Sequence, residues 1–179
     1  MKVLLWSAYL ISLFFAIFWF LVLMDSNVKI KRKKPTKFLH VTIAVPAYNE
    51  ENNIIQTLNS LIRLNYPKNK LEIIVVNDGS IDKTPLLVER FIKQNTGFDI
   101  KLINKINEGK GAALNKALSI AKGKYFVCLD ADSTVKSNIL RKTLPHFADE
   151  EVAVVLPLLK VKNPKTIWQK LQWLEYIIN

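Results

Sequence analysis

Ile73, Ile74, Val75 and Val76 are four consecutive apolar residues, so a strand built from them is apolar on both faces. Side chains alternate across a strand, and only a sheet covered by helices on both sides hides such a run. The run predicts a central strand of a parallel sheet, and the flanking sequence keeps the same rhythm. Val41, Ile43 and Val45 predict an earlier strand, and Ile54, Ile55, Leu58, Leu61 and Ile62 recur at helical spacing behind Asn49, read as the helix N-cap. Thr84 followed by Pro85 predicts a helix start, with Leu87, Val88, Phe91 and Ile92 on its inner face. A strand near Ile100 to Ile103, a helix from Gly109 to Ala121 and a buried strand through Tyr125, Phe126, Val127, Cys128 and Leu129 follow. A helix over Ile139 to Phe147 and a strand over Val152 to Leu156 complete the pattern. Repeated βα units imply an α/β fold with a doubly wound, mostly parallel sheet.

Ahead of this rhythm lies a different kind of segment. Val3 to Met24 is uninterrupted by charge, and as a helix of about 22 residues it would span roughly 33 Å, the thickness of a bilayer core. No small-x-small cleavage pattern precedes Asp25, so the segment reads as a transmembrane helix rather than a signal peptide. Lys29, Lys31, Arg32, Lys33, Lys34 and Lys37 follow it, against Lys2 alone before it. The positive-inside rule then predicts a single-pass protein of the cell membrane with everything after Met24 in the cytoplasm. These six residues supply more than half of the net charge of +11. The basic balance therefore predicts affinity for anionic lipid head groups, and the absence of interleaved aromatics argues against nucleic acid. Cys128, the only cysteine, fits a reducing compartment and a packing role. The expected organisation is a transmembrane helix over 1–24, a basic juxtamembrane linker over 25–40, an α/β domain over 41–160 and an amphipathic C-terminal helix over 161–179.

Four strand ends carry residues suited to chemistry. Pro46, Ala47, Tyr48, Asn49, Glu50 and Glu51 follow the first strand, where a turn and a helix cap would be the structural reading. Asn77, Asp78, Gly79 and Ser80 follow the second; an Asp there can close a turn or accept a hydrogen bond from a nucleobase ring N–H, which uracil and guanine carry. Glu108, Gly109, Lys110, Gly111, Ala112 and Ala113 open a helix beside a lysine, an arrangement able to hold a diphosphate. Asp130 and Asp132 flank Ala131, and two carboxylates so close at a strand end point to a cation and a phosphate ligand.

In this order the four segments, PAYNEE, NDGS, EGKGAALNKAL and LDADS, resemble glycosyltransferase family 2, nucleotide-sugar transferases of the GT-A fold. The apolar helix ahead of them resembles the membrane-bound branch, which includes cellulose, chitin, hyaluronan and poly-N-acetylglucosamine synthases. The resemblance implies a Rossmann-like, nucleotide-sugar-binding GT-A half-domain. Pro46, Tyr48 and Glu50 would line the nucleoside pocket, Asp78 would read the base and Lys110 would approach the diphosphate. Asp130 would sit near the ribose or the metal, and Asp132 would ligate Mg²⁺ or Mn²⁺ bridging the phosphates of a nucleotide-diphosphate sugar with UDP or GDP as carrier. It also implies inversion of configuration by direct displacement, with an acceptor hydroxyl deprotonated by a carboxylate.

That carboxylate marks a departure. In relatives it is an Asp in a Glu-Asp motif well beyond the metal pair, followed in processive members by a Gln-x-x-Arg-Trp signature, and neither stands after Asp132 here. The later acids are Asp149, Glu150 and Glu151, read as a solvated loop, and Glu175 on a final amphipathic segment. In that segment Ile167, Leu171, Leu174 and Ile178 follow helical spacing, with Trp168, Trp173 and Tyr176 beside them. Helical periodicity running to Ile178 and Asn179 without a cap predicts a fragment or truncated product, unable to transfer sugar alone. Two other readings are open: a truncated homologue acting as an interaction subunit beside a complete synthase, and a haloacid dehalogenase type phosphatase, whose Asp-x-Asp-x-Thr nucleophile motif matches Asp130 to Thr134. In such phosphatases the motif ends the first strand of the domain, whereas three βα units precede it here.

Overall fold

A computed structural model of the chain describes residues 2–25, 38–160, 164 and 166–178, with 23–25 and 174–178 described in backbone only. It contains two compact units, Met1–Arg32 and Lys33–Asn179. The basic linker residues Lys29 to Lys37 lie outside the described residues. In the first unit α1 (Lys2–Asp25) is one continuous helix, long and apolar enough over Lys2–Val22 to cross a membrane. Away from its two ends its backbone groups pair within the helix, as a bilayer interior requires. Ser7 joins that economy by donating its hydroxyl to the carbonyls of Val3 and Leu4, both at 3.0 Å.

The second unit is built on β1 (Val41–Ala47), β2 (Leu71–Asp78), β3 (Asp99–Lys105) and β4 (Tyr125–Cys128). They form one parallel sheet in the order β3-β2-β1-β4. The helices are α2 (Ile54–Ile62), α3 (Thr84–Gln94), α4 (Lys110–Ile120), α5 (Ile139–Thr143) and α6 (Ile167–Ile178). The alternation of β2 explains its central place: every residue from Leu71 to Asp78 is buried. Ile73 and Val75 pack with Val41, Ile43 and Val45 under α2 and α3, where Ile54, Leu58, Leu61, Val88 and Phe91 close the larger core. Ile74 and Val76 face the other way and meet Ala44 beneath Ala113 and Ala117 of α4. Small alanines let α4 lie close to the sheet, which is why a helix with so little apolar bulk still covers that face. The sheet is doubly wound, and the α/β parallel architecture expected from the sequence is the one observed.

At the end of the sheet opposite the site, the buried carboxylate of Glu72 accepts from Thr42 Oγ1 (2.6 Å), Lys101 Nζ (2.5 Å) and the backbone N–H of Lys122 (2.9 Å). Three strands and the loop before β4 are thereby tied by one charged network. Burial pushes the Glu72 carboxyl up, but these donors, led by Lys101, outweigh it and hold the group below the ordinary carboxylate range.

Several expectations need correction. Asn49 does not cap α2: the helix begins at Ile54 behind Asn53, and Asn49 takes the left-handed conformation at φ 55°, which asparagine tolerates better than most residues. The helix expected over Ile139 to Phe147 is α5 followed by a 3-10 segment at Leu144–Ala148, because Pro145 has no N–H to continue the α ladder. The final strand β4 is half exposed rather than buried, and Cys128 is exposed rather than packed. β4 pairs with β1 alone among the described residues, so its outer side lacks cover. Val152 to Leu156 form no strand; 152–160 are irregular, with Val154 and Leu156 largely exposed. A β-rich composition yields a strand only where a partner ladder receives it.

Candidate functional site

From β1 the chain winds outward to β2 and β3, then crosses back to place β4 on the far side of β1. The order reverses between β1 and β4, and the crevice beyond the carboxyl ends of strands at such a point is where open α/β sheets bind ligands. A cleft of about 220 Å³ lies there, lined by Pro46, Ala47, Tyr48, Glu50, Asp78, Lys110, Asp130, Ala131 and Asp132. All seven side chains singled out in the sequence reach this one cleft, from the ends of β1, β2 and β4 and the first turn of α4.

Pro46 lies within β1 rather than in the turn after it. Pairing of β1 to β4 ends at Ala44 and Cys128, so β1 is flanked on one side only by then and tolerates proline as an edge strand does. The segment after it is fastened to the loop after β2. Asn49 donates its N–H to Ser80 Oγ (3.0 Å) and accepts from Ile81 N at Oδ1 (2.9 Å). Glu50 N donates to Thr84 Oγ1 (2.8 Å), Glu51 N to Asp82 Oδ2 (3.0 Å), and Lys83 N returns a bond to Glu51 Oε2 (3.1 Å). The acids of PAYNEE thus do two things: Glu51 knits loops together, while Glu50 turns to the cleft with its carboxylate accepting from Asn53 Nδ2 (2.9 Å). Tyr48 stands about half exposed at the rim, 49%, leaving a ring face available to a flat ligand.

Asp78 is buried at the last position of β2. Its Oδ1 accepts from Lys105 Nζ (2.7 Å) and Glu108 N (3.1 Å), and its Oδ2 from Gly109 N (2.8 Å). Burial raises the carboxyl pKa, but the Lys105 ammonium and the two amides prevail and hold it below the ordinary range. Lys105 also pairs with Glu108 Oε2 (2.8 Å), and its own pKa is raised by both carboxylates. A carboxylate offers about four acceptor positions, so Oδ2 keeps one for a ligand. Gly79 and Gly109 take φ of 75° and 91°. A Cβ on Gly79 would meet the backbone nitrogen of Asn107 at 2.8 Å, so only glycine lets these two loops close together.

Gly109 precedes α4, and Lys110, its first residue, reaches across the cleft to Asp130 Oδ1 at 2.5 Å. Ala131 is buried in the main core while Asp130 and Asp132 on either side are exposed. The alternation aims both carboxylates outward. Their oxygens suit a hard cation, which proteins often hold with one or two carboxylates and leave open for substrate phosphates. A lysine ammonium beside Asp130 shows that the position already favours positive charge. Among the described residues no third His, Cys, Asp or Glu completes an all-protein cage.

Sequence reasoning missed the residues that hold the site rather than line it: Thr84, Lys105 and Thr57. Thr84 was visible only as a helix start, and Lys105 carried no signal among many lysines. Thr57 did leave one, as a polar residue within the apolar stripe Ile54, Leu58, Leu61 of α2.

A doubly wound parallel sheet with an acidic pair, a lysine at a helix start and loop carboxylates gathered at its switch point places the chain in the α/β class, with its polar cleft at the end of the sheet where such folds take their ligands. Residues 42–178 match the family described as Glycosyl transferase family 2, and the chain belongs to that family. It is 31% identical over 138 residues to a poly-β-1,6-N-acetyl-D-glucosamine synthase of Staphylococcus epidermidis, covering 76% of this chain and 32% of that protein. It is 34% identical over 142 residues to the probable glycosyltransferase YdaM of Bacillus subtilis (strain 168), covering 78% and 34%. The chain thus spans about a third of the length of these curated relatives. Among solved structures, the mannosyltransferase PcManGT of Pyrobaculum calidifontis, in complex with GDP-Man and Mn²⁺, superposes with a TM-score of 0.71 at 29% identity, covering 83% of this chain and 43% of that one. TarS of S. aureus (1–349) in complex with UDP-GlcNAc gives 0.56 at 27% identity, covering 70% and 39%. The fold is GT-A-like, and the family removes the phosphatase reading of Asp130 to Thr134.

Proposed function

We propose that the chain is the donor-binding part of a membrane-anchored, inverting glycosyltransferase that takes a UDP- or GDP-activated sugar with Mg²⁺ or Mn²⁺. The observation that carries this reading is the convergence of Tyr48, Glu50, Asp78, Lys110, Asp130 and Asp132 on one cleft at the switch point of a family 2 sheet. Pro46, Tyr48 and Glu50 bound the nucleoside, and the open acceptor position on Asp78 Oδ2 takes the ring N–H of uracil or guanine. The ligands of the two structural neighbours, UDP-GlcNAc and GDP-Man, support that choice, since both carry such a base. Lys110 exchanges its contact with Asp130 for the diphosphate, leaving Asp130 to the ribose or the cation and Asp132 to the cation. When bound, the divalent ion would neutralise charge on the departing nucleoside diphosphate.

The four carboxylates of the cleft are all engaged on the donor side in this reading. The base for the acceptor hydroxyl then comes from outside the residues described, whether from further chain or from a complete synthase subunit as partner. Helix α1 crosses the membrane once, with the basic linker on anionic head groups and the α/β domain over 41–160 in the cytoplasm.

Calorimetry on the full chain in detergent with Mn²⁺ tests the donor choice. UDP- and GDP-sugars are expected to bind, and ADP- and CDP-sugars to bind at least about tenfold more weakly, the worth of one hydrogen bond to a charged group. Equal binding of all four, or of none, would contradict it.

A further inference from the structure

The peptide between the two cleft aspartates is held from behind by a single buried hydroxyl. Thr57, fully buried on α2, donates from Oγ1 to the carbonyl of Ala131 at 2.6 Å. The alternative acceptor within its own helix, the carbonyl of Asn53, lies at 3.4 Å, so the one hydroxyl proton is committed to Ala131. One turn along the same helix face, Ser60 Oγ accepts from Val135 N (3.2 Å) while donating to Thr57 O (2.7 Å). Just beyond the helix, Asn65 N donates to Ser137 O at 2.7 Å. The loop after β4 therefore runs along α2 with three polar attachments, and the one nearest the cleft falls between Asp130 and Asp132.

We infer that Thr57 is a positioning residue for the acidic pair: its hydroxyl fixes the Ala131 peptide plane so that both carboxylates open on the cleft. β4 is a four-residue edge strand whose pairing to β1 ends at Cys128, and the last sheet-like bond is Leu129 N to Ala44 O at 3.0 Å. Beyond it the sheet no longer directs side chains. The backbone that carries Asp130 and Asp132 is set by the turn closed by Ser133 N on Asp130 O (3.0 Å) and by the Thr57 anchor, while the carboxylates themselves meet Lys110 Nζ at Asp130 Oδ1 (2.5 Å) and Ser133 Oγ at Asp132 Oδ1 (3.3 Å). Without the anchor the buried Ala131 carbonyl has no partner and can regain one only by rotating its peptide toward water, which swings the flanking carboxylates with it. The role is chemically specific: a hydroxyl is required, and a methyl of the same size does not serve.

The inference deepens the donor-binding reading and rests on it for its consequence, but its geometry can be tested apart from it. Thr57→Val, Thr57→Ser and Thr57→Ala are compared in the full chain in detergent. The Ser and Ala variants both lack the methyl and differ only in the hydroxyl, so that pair decides the matter even if the Val variant does not fold. Two readouts are taken: Mn²⁺ binding with UDP by electron paramagnetic resonance, and amide hydrogen exchange at Ser133, whose N–H closes the turn on Asp130 O. The expected result is a loss of Mn²⁺·UDP affinity of about tenfold in the Ala and Val variants, with the Ser variant close to wild type. Exchange at Ser133 should accelerate in the same variants, while β1 and β2 amides keep their protection in the Ser and Ala variants alike. Equal exchange at Ser133 in the Ser and Ala variants would overturn the positioning role, whatever the ligand result. If wild type fails to bind Mn²⁺·UDP, the donor-binding reading falls, and the exchange comparison still decides what Thr57 does.

Discussion

Lys110 Nζ lies 2.5 Å from Asp130 Oδ1, an ion pair that spans the cleft between the start of α4 and the segment just after β4. More than half of each side chain is exposed. Pairs of that kind contribute under about 1 kcal/mol to stability, because water already solvates both ions. The pair is therefore a poor structural strut and a good reserve of positive charge. Lys110→Ala should leave the melting temperature within about 2 °C of wild type while weakening UDP binding by about tenfold or more. Calorimetry beside a thermal melt reads both quantities. A large loss of stability with binding intact would reverse the assignment.

Asp78 and Lys105 behave differently, being buried and mostly buried. The Asp78 pKa is lower in the folded chain than in the unfolded one, so its pairing contributes stability fully above the ordinary carboxylate range and loses it as pH falls through the folded value. Lys105 is raised, so its contribution is complete below the ordinary lysine value and lost as pH rises through the folded one. Replacing Lys105 by Met should open a stability gap from wild type that is widest near neutrality and narrows as pH falls below about 4. Chemical denaturation followed by circular dichroism across that range measures the gap. A gap independent of pH would show that Lys105 acts through packing alone.

The Glu72 network should matter to the fold and not to the cleft. Glu72→Ala leaves Thr42, Lys101 and the Lys122 amide without their shared acceptor. Lys101 can still reach water, which puts the cost near the lower end for a broken buried pair, about 3 kcal/mol. The folded fraction should bind UDP as wild type does, since the network lies at the other end of the strands. Denaturant titration with calorimetry at low temperature separates the two effects.

Gly79→Ala tests how closely the loops must approach. At φ 75°, with its new Cβ aimed at the Asn107 backbone nitrogen, the substitution is expected to cost about 1–3 kcal/mol. It should also shift the Glu108 and Gly109 amides from Asp78. A variant that melts with wild type would show that the loops have slack.

How far the sequence reveals this molecule depends on which force governs each part. The both-face apolar run of β2 and the helical stripes of α2 and α3 are legible because burial leaves periodic marks. The cleft residues are legible because strand ends concentrate polar groups that burial alone does not explain. Asn49 was misread because the same short amide serves both as a helix cap and as a left-handed residue, and only the loop it meets chooses between them. Cys128 and Val152 to Leu156 were misread for a related reason: apolar β-formers announce a strand, but their cover depends on partners that composition does not encode. Thr57 and Lys105 act through contacts 74 and 27 residues distant in sequence, where no local pattern reaches.

In the proposed complex Asp132 holds a divalent ion together with the diphosphate of the donor. The most direct measurement is titration of UDP into the full chain in detergent, with and without Mn²⁺, for wild type and Asp132→Ala. Mn²⁺ is expected to strengthen UDP binding to wild type by at least about tenfold, and the variant to lose this enhancement while keeping its melting temperature. Metal-independent binding in wild type, or an enhancement that survives in Asp132→Ala, would contradict that role of Asp132.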